Sequence, residues 1–378
     1  MIYLDHAATT PIAPEVRDAM LPYLGERFGN PSSIHRLGQD ARRALDGARD
    51  TLAEAIGAES SEVYFTSGGT EAGNMALLGT LLAARDCTGR TGIITNHAEH
   101  HCVLDAAYFA QSLGFKVTVL PVDGQGRVLP EAVAEALDDN TALVSIMHAN
   151  NELGTIQPIA ELAALAHERG ALFHTDAVQT LGALPLNVDA LGVDLLSLSG
   201  HKIYGPKGTG ALYARKGVRM YPLFHGGSQE REKRPGTENV AGIIGFGEAV
   251  RLLPTWREAA AEQMTTVRAH FWNRLQEAIP GVVLNGVPFG PERLPANLNV
   301  RFPKKDAETI LLALDFHGVA ASAGSACASG SLEPSHVLVA IGLSLTDARA
   351  SVRFSLGRKT TQAEVEQVVE TLAQIVRT

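Results

Sequence analysis

The chain has 378 residues, of which 45% are apolar and 19% charged, and this balance is typical of a compact globular protein of about two domains. Disordered and fibrous proteins are thereby excluded. Since acidic residues exceed basic ones and give a formal charge of −9, a nucleic acid is not expected as a partner, because binding a phosphate backbone usually requires a concentrated basic surface.

The N-terminal residues 1–10 include Asp5 and lack the basic flank and apolar stretch of a signal peptide. No apolar run in the sequence approaches the length needed to cross a membrane, so no membrane association is expected. The odd set of cysteines, Cys87, Cys102 and Cys327, contains no Cys-x-x-Cys pair and does not indicate a disulfide framework or a zinc site. These features predict a reducing, cytoplasmic location.

Between residues 62 and 215, short apolar runs alternate with helical patterns. Strands interleaved with helices predict an α/β domain, in which a mainly parallel sheet is flanked by helices. The clearest strand-like runs are 63–65, 92–95, 116–120, 142–147, 171–174 and 194–198. Open α/β sheets bind ligands at the carboxyl ends of their strands, and several of these runs end in polar residues, so we expect the site at that edge.

A second, smaller domain is predicted after Pro254. A polar helical stretch runs to Ile279, a weak strand covers 297–302, a helix lies around 307–317, and a Gly/Ala/Ser-rich segment spans 321–331. This mixture of elements indicates an α+β unit.

A Gly-rich turn, Ser-Gly-Gly-Thr-Glu at 67–71, lies between a predicted strand and a predicted helix. Small residues let the backbone approach a phosphate, and exposed amides at a helix start favour its negative charge. Such a turn also serves simply to begin a helix, and it lacks the spacing of a P-loop or a dinucleotide fingerprint.

The histidines His97, His100 and His101 form a cluster with Glu99. No matching His/Cys set occurs elsewhere at metal-ligand spacing, and the adjacent pair at 100 and 101 should point in different directions, so no metal is expected. One of these rings is better suited to lie over a flat cofactor.

Asp176 follows the apolar run 171–174, and Gln179 comes three residues later. A carboxylate at this position can keep a pyridine nitrogen protonated, which makes the ring an acceptor of electrons. The alternative is a helix N-cap, which any aspartate after a strand could provide.

Lys202 lies in a tight loop, Ser-Gly-His-Lys-Ile-Tyr-Gly-Pro-Lys-Gly at 199–208, directly after a predicted strand. A lysine there can form a Schiff base with an aldehyde cofactor once its amine is neutral. Taken alone, a solvated loop lysine is the commoner case. The neighbouring motifs favour the cofactor.

Cys327 stands in the segment 321–335, which contains few bulky side chains. A loop of this composition buries little apolar surface and leaves much backbone freedom, as a thiol that moves during a reaction would need. A small residue packed in a tight bend is the alternative.

Taken together, these segments resemble the cysteine desulfurases, specifically the housekeeping and nitrogen-fixation group within the class V aminotransferase-like enzymes. The resemblance covers nearly the whole chain and runs through 3–5, 29–33, 66–71, 99–100, 150–152, 176 with 179, 199–208, 234–237, 322–335 and 353–355. It implies the pyridoxal-phosphate (PLP) dependent transferase fold type I. The large cofactor-binding domain would span 14–255, and residues 1–13 and 256–378 would form the small domain that carries the cysteine loop.

The resemblance also assigns the residues around the ring of a pyridoxal phosphate cofactor. Lys202 would hold the cofactor covalently and later move protons. Asp176 would pair with the pyridine nitrogen, Gln179 would bond the phenolic oxygen, and His100 would stack on the ring and take part in catalysis.

Two further groups of residues follow from the resemblance. The phosphate would be held by two chains, which makes a homodimer the functional unit, through Gly69, Thr70, Ser199 and His201 of one chain and Thr237 of the other. The carboxylate of the substrate would be bound by Asn30, Asn151 and Arg353, and a guanidinium fork suits two oxygens. Gly69 and Gly73 replace bulkier residues of many relatives, which should alter the stiffness of the turn but not catalysis.

The implied reaction converts L-cysteine to L-alanine. The Cys327 thiolate would attack the substrate sulfur, because a neutral thiol is a poor nucleophile, and keep it as a persulfide. A protein acceptor such as an iron–sulfur scaffold would then receive it for cluster, thio-cofactor or tRNA synthesis. Since the sequence ends at Thr378, without the C-terminal extension that some relatives use, docking through such an extension is not expected.

Two alternatives remain open at this point. An aminotransferase of the same fold would use Lys202 and Asp176 but would not need a thiol loop. A catalytically silent scaffold or metal-delivery protein could use the cluster at 97–102, but it would leave Lys202, Asp176 and Arg353 unexplained.

Overall fold

The computed structural model describes residues 1–302, 305–324 and 334–377, so Cys327 lies outside the described residues. The strands are β1 (Ile2–Tyr3), β2 (Val63–Thr66), β3 (Gly92–Asn96), β4 (Lys116–Leu120), β5 (Thr141–Ser145), β6 (Leu172–Asp176), β7 (Leu195–Ser199), β8 (Gly210–Ala214), β9 (Val283–Leu284), β10 (Asn297–Arg301), β11 (Val319–Ala320) and β12 (Ser351–Ser355). The helices are α1 (Pro14–Met20), α2 (Arg36–Ile56), α3 (Gly69–Asn74), α4 (Thr80–Thr88), α5 (His101–Ser112), α6 (Pro130–Ala136), α7 (Ile159–Glu168), α8 (Val188–Leu191), α9 (Val240–Ala278), α10 (Ala307–Phe316), α11 (His336–Ala340), α12 (Leu345–Arg349) and α13 (Gln362–Arg377).

A seven-stranded sheet with the order β2-β8-β7-β6-β5-β3-β4 forms the centre of the larger part of the molecule. β8 runs antiparallel to both of its neighbours, and the other pairings are parallel. The six predicted strand-like runs fall on β2 to β7. The predicted mainly parallel sheet flanked by helices is therefore confirmed.

The strands of this sheet are continuous apolar runs because helices cover both of its faces. Successive residues belong to opposite faces: Val144 and Leu196 pack into one hydrophobic core, and Leu143 and Leu195 pack into the other. The carboxyl ends of the parallel strands consequently meet at one edge that the helices leave open.

A smaller antiparallel sheet with the order β12-β10-β9 has a separate core. This core joins the second half of α9 to α10 and α13, with Phe271 and Phe354 in edge-to-face contact at 5.2 Å. Leu4 belongs to the same core, and β1 pairs in parallel with β11. The N-terminal strand therefore packs with the C-terminal part of the chain, in a smaller α+β unit.

The helix predicted after Pro254 begins much earlier, at Val240, where the Asn239 side chain accepts the Gly242 N–H at 3.1 Å. Pro254 lies inside α9 and, because it has no N–H, removes one backbone hydrogen bond. Packing of α9 against α2 and α13 nevertheless stabilises the helix. Because α9 is continuous across residues 255 and 256, the division into two domains there stays a prediction. In the described part of the chain, no helix is both long and apolar enough to cross a membrane.

Candidate active site

A cavity of about 180 Å³ lies at the carboxyl edge of the seven-stranded sheet. Of the predicted site residues that the structure describes, all but Asn30 and Thr237 line it: Gly69, Thr70, His100, Asn151, Asp176, Gln179, Ser199, His201, Lys202 and Arg353. They come from the last residues of β6 and β7, from the segments that follow β2, β3, β5, β6 and β7, and from the middle of β12. The two sheets thus supply one common cavity.

Lys202 ends a short 3₁₀ turn that directly follows β7. Its Nζ donates hydrogen bonds to the carbonyl oxygens of Ala7 at 2.5 Å and Ala8 at 2.7 Å. Gln179 Nε2 donates to the same Ala7 oxygen at 3.0 Å. The N-terminal segment therefore closes one side of the cavity and orients the amine.

Asp176 is the last residue of β6 and only 6% exposed. Its Oδ1 accepts the Val178 N–H at 2.9 Å, but the next helix, α8, begins only at Val188, so Asp176 caps a turn and not a helix. Burial raises the pKa of the carboxyl to about 6, although the Val178 hydrogen bond and the charge of Lys202 oppose the shift. A cationic partner would therefore stabilise the carboxylate.

His100 is the N-cap of α5, and its Nδ1 accepts the Cys102 N–H at 3.1 Å. This bond requires an unprotonated Nδ1. Burial, followed by the charge of Lys202, lowers the pKa of His100 to about 4. The same two causes lower the pKa of His201 to about 4, and His201 Nδ1 lies 3.1 Å from Thr9 Oγ1. Both rings are neutral at pH 7.

Gly69 and Thr70 open a helical stretch that continues through a π turn at Met75–Gly79 into α4. A Cβ on Gly69 would lie 2.7 Å from Val178 Cγ2, so only glycine leaves Val178 in place against the cavity. Glu71 fixes the turn, because its side chain accepts the Ser67 N–H at 2.8 Å and the Arg234 Nε–H at 2.7 Å.

Arg353 lies in the middle of β12 and is 1% exposed. One terminal nitrogen donates to Asp5 Oδ1 at 2.8 Å, and the other donates to the Asn151 carbonyl at 3.1 Å. Its buried Nε has no hydrogen-bond partner among the described residues. The guanidinium consequently retains donor capacity for an anion such as a carboxylate.

Two of the predicted site residues that the structure describes, Asn30 and Thr237, do not line this cavity. Asn30 is exposed, and its side chain accepts the Ser32 N–H at 2.9 Å within its own turn. Thr237 is also exposed and does not line the cavity of its own chain. Cys327 lies outside the described residues.

The cavity also contains groups that the sequence did not reveal. Cys102 Sγ lies 4.0 Å from Asp176 Oδ2, and Met147 and Val178 complete the wall. Met147 closes the apolar run 142–147, so its position at a strand end could have identified it. The Ala7 and Ala8 oxygens could not be identified, because a backbone acceptor has no residue-type signature.

The histidine cluster extends to a residue far away in sequence. The rings of His101 and His336 lie 4.4 Å apart, and His336 Nε2 lies 2.9 Å from the Glu99 carbonyl oxygen. Within the ranges that the structure describes, no three His, Cys, Asp or Glu side chains are placed to hold a metal ion.

Comparisons with known proteins cover almost the entire chain. The family model described as aminotransferase class-V matches residues 2–368. A cysteine desulfurase IscS from Dictyoglomus turgidum is 52% identical over 99% of this chain and 94% of its own length. A second IscS, from Methanosarcina thermophila, is 49% identical over 100% of this chain and 92% of its own.

Solved structures show the same likeness. A NifS-like protein superposes with a TM-score of 0.93 at 35% identity, covering 100% of this chain and 99% of that one. A structure described as SspA in complex with cysteine gives 0.84 at 38% identity, covering 96% and 100%. The match to the family model includes every residue that lines the cavity.

Proposed function

Because this chain belongs to the class-V aminotransferase family and, within it, to the cysteine desulfurases, we propose that it releases L-alanine from L-cysteine and retains the sulfur on Cys327. The observation that carries the proposal is the convergence on one cavity of Lys202, Asp176 and Arg353, which come from separate parts of the chain. An amine, a buried carboxylate and a guanidinium have distinct tasks in this reaction.

Pyridoxal phosphate, when bound, supplies an electron-withdrawing ring that stabilises negative charge on the substrate. The cavity suits this group. The buried Asp176 carboxylate, whose pKa burial raises, gains a compensating charge from a protonated pyridine nitrogen. The Lys202 amine would bind the aldehyde, and the neutral ring of His100 would offer a flat surface for stacking.

The phosphate part of the cofactor would bind at the Gly69 turn. Amides at the start of a helical stretch attract an anion. Ser199, whose Cβ would lie 3.7 Å from a Cβ on Gly69, and His201 line the same cavity as further donors. Thr70 adds a hydroxyl. The ion pair between Arg234 and Glu71 keeps this turn in place before the phosphate binds.

The substrate carboxylate would bind at Arg353 and Asn151. The Arg353 Nε has no partner among the described residues, so a carboxylate would satisfy a donor whose burial is otherwise costly. Asp5 and the Asn151 carbonyl hold the guanidinium in position, which reduces the entropy lost on binding.

The chemical steps need a base and a nucleophile. Lys202 removes and returns protons at the substrate carbons from its position beside the N-terminal carbonyls. The Cys327 thiolate attacks the substrate sulfur, so that a sulfur–sulfur bond forms as the carbon–sulfur bond breaks. The electron pair left on the β-carbon takes up a proton to give alanine, and a thiol reductant releases the bound sulfur as sulfide.

The proposal includes a homodimer in which Thr237 reaches the phosphate of the partner subunit. Large apolar side chains are exposed in the segments around Asn30 and before Thr237, among them Phe28 (73% exposed), Ile34 (91%) and Phe224 (55%). A monomer would leave this apolar surface in water. A second copy of the chain covers it and would bring Asn30 and Thr237 towards the other cavity. A protein sulfur acceptor, such as an iron–sulfur scaffold, and a cytoplasmic location complete the proposal.

The test is to incubate the purified protein with L-cysteine, pyridoxal phosphate and a reductant, and to assay alanine and sulfide together. Equal amounts of the two products are expected. The Cys327→Ser variant should keep the change in visible absorbance on mixing but release almost no sulfide, whereas Cys87→Ser, at an exposed site, should behave like the parent. Amino-group transfer to a keto acid without sulfide would contradict the proposal and favour the aminotransferase.

A further inference from the structure

Glu152 is a buried carboxylate, 1% exposed, in the loop between β5 and α7, directly after Asn151. Its N–H donates to Asn150 Oδ1 at 2.8 Å. Its carbonyl oxygen accepts from Asn297 Nδ2 at 2.8 Å and Asn299 Nδ2 at 3.1 Å, both on β10. One residue of its own loop and two residues of β10 therefore fix the backbone of Glu152, which limits the positions open to its carboxylate.

This carboxylate contacts both sides of the segment 325–333, in which Cys327 stands. On one side, the Ser335 hydroxyl donates to Glu152 Oε2 at 2.5 Å. On the other side, a Cβ on Gly324 would lie 3.1 Å from the same Oε2 and 3.4 Å from Ser335 Cβ, so the Gly324 backbone packs against this pair. One buried oxygen thus accepts a hydrogen bond from one flank and lies close to the backbone of the other.

The same flanks are joined to the residues proposed for the substrate carboxylate. Ser322 and Arg353 exchange backbone hydrogen bonds of 2.6 Å and 3.2 Å, and the Ser322 hydroxyl donates to the Gly324 carbonyl at 3.0 Å. Arg353 in turn donates to the Asn151 carbonyl, next to Glu152. Hydrogen bonds therefore link Arg353 to the flank at Ser322 and Gly324, and the chain from Asn151 to Glu152 leads to the flank at Ser335.

We propose that Glu152 is a positioning residue for sulfur transfer: it fixes both flanks of the segment 325–333 and so sets the reach of the Cys327 thiol to the substrate sulfur. The inference rests on the proposed function. Fixing the ends of a short segment raises the effective concentration of a group within it at a target, and releasing one end lowers that concentration. Burying a carboxylate costs free energy unless it accepts hydrogen bonds. The Glu152 carboxylate accepts one from the Ser335 hydroxyl, which belongs to the flank after the segment.

The test compares Ser335→Ala with a matched control. Ser335 is the N-cap of α11, and Ser344 is the N-cap of α12, where its hydroxyl donates to Asp347 and not to Glu152. Both substitutions remove a helix cap, but only Ser335→Ala removes the bond to Glu152. Single-turnover persulfide formation on Cys327, measured by peptide mass spectrometry, should slow by about tenfold in Ser335→Ala and remain within about twofold of the parent in Ser344→Ala.

Glu152→Ala should reproduce the effect of Ser335→Ala, and the double variant should show no further loss, because both changes break one interaction. Glu152→Gln keeps an acceptor oxygen and should restore part of the rate. The absorbance change on mixing with L-cysteine should keep the parent rate in all of these variants, since it precedes sulfur transfer. If it slows in parallel with persulfide formation, or if Ser335→Ala matches Ser344→Ala, the inference is wrong.

A second measurement needs neither cofactor nor substrate. The rate at which iodoacetamide alkylates Cys327 should change by about threefold or more in Ser335→Ala and not in Ser344→Ala, with the exposed Cys87 as an internal reference. An unchanged rate in both would overturn the role of Glu152. A parent protein that forms no persulfide on Cys327 would instead overturn the proposed function, while the alkylation comparison would still decide whether Glu152 fixes the segment.

Discussion

The two sheets contribute to the cavity in different ways. The seven-stranded sheet supplies Asp176 and Ser199 as the last residues of β6 and β7, and Lys202 from the turn that follows. The three-stranded sheet supplies Arg353 from the middle of β12, where Asp5 and a carbonyl hold it. The residues at or just after the ends of β6 and β7 are thus those proposed to act on the cofactor. Arg353, a cation held in the middle of a strand, is the residue proposed to bind the substrate.

This difference indicates how the two regions should respond to substitution. A residue at a strand end has few partners, so its removal deletes a chemical group and leaves the fold. Arg353 lies in the middle of a strand and has several partners that fix its guanidinium. Its effect therefore depends on where this group is held, so even a lysine, which has the same charge, should weaken substrate binding.

The largest effect is expected from Lys202→Ala. Alanine formation should fall by about 10³-fold or more, because the covalent attachment and the base are lost together. Borohydride reduction of the parent should fix the cofactor on Lys202, as peptide mapping would show. Lys207→Ala, an exposed lysine of the same loop, is the control and should keep its activity. Activity of Lys202→Ala within tenfold of the parent would remove the lysine from the mechanism.

The next largest effect is expected in the cofactor-free protein, where Asp176 should make the free energy of unfolding depend on pH. The pKa of Asp176 is about 6 in the folded chain and about 3.8 in the unfolded chain. Between these values unfolding releases a proton, so this group's contribution to the free energy of unfolding falls as the pH rises. The fall reaches about 3 kcal/mol above pH 6.

Asp176→Asn removes this contribution. The stability of the variant relative to the parent, measured by urea denaturation, should therefore rise from pH 4 to pH 6 and then level off. The exposed Asp18→Asn should show no such rise. A constant difference across this range would mean that burial does not raise the pKa of Asp176.

A smaller effect is expected from Arg353→Lys. The KM for L-cysteine should rise by about 10–100-fold, because lysine cannot keep the bonds to Asp5 and Asn151 and also offer a planar fork. The kcat should change much less. Arg301→Lys, at the end of the neighbouring strand β10 and outside the cavity, is the control. A fall in kcat without a change in KM would assign Arg353 to the chemistry and not to binding.

The smallest effect is expected from Thr237→Ala. Loss of one neutral hydrogen bond corresponds to about 2–10-fold weaker cofactor binding. This affinity would be measured by titrating the cofactor-free protein with pyridoxal phosphate and following the absorbance. Sedimentation of the same samples would verify that the variant is still a dimer. Thr371→Ala, on the exposed side of α13, should bind the cofactor like the parent. Equal affinities of the two variants would remove Thr237 from the site.

Much of the large sheet and its functional edge could be predicted from local patterns. β2 to β7 are apolar runs, and Asp176 and Lys202 were identified because polar residues after buried strands converge at one edge. Arg353 could be identified only through the resemblance to a family. A buried arginine within a strand depends on partners such as Asp5, and nothing near position 353 in the sequence specifies them.

Two other features were beyond local sequence patterns for a related reason. The sequence predicts a helical stretch only after Pro254, whereas α9 begins at Val240. An internal proline weakens a helix, but tertiary contacts with α2 and α13 outweigh that cost. The role of Ala7 and Ala8 depends on backbone oxygens, and their partner Lys202 is distant in sequence. Tertiary packing determines where α9 begins, and backbone geometry determines the acceptors of Lys202. Neither can be predicted from residue type alone.

The N-terminal segment has a consequence for how the protein is made. Ile2 and Tyr3 pair with Val319 and Ala320, and Leu4 accepts a hydrogen bond from the Ser355 N–H. A ribosome that adds about 5–20 residues per second needs roughly 15–70 s between these parts of the chain. Residues 2–4 therefore wait without these partners until residues 319–355 have been synthesised. Since Ala7 and Ala8 lie in this segment, the Lys202 amine acquires its acceptors only after that, and loading of the cofactor should follow synthesis of residues 319–355.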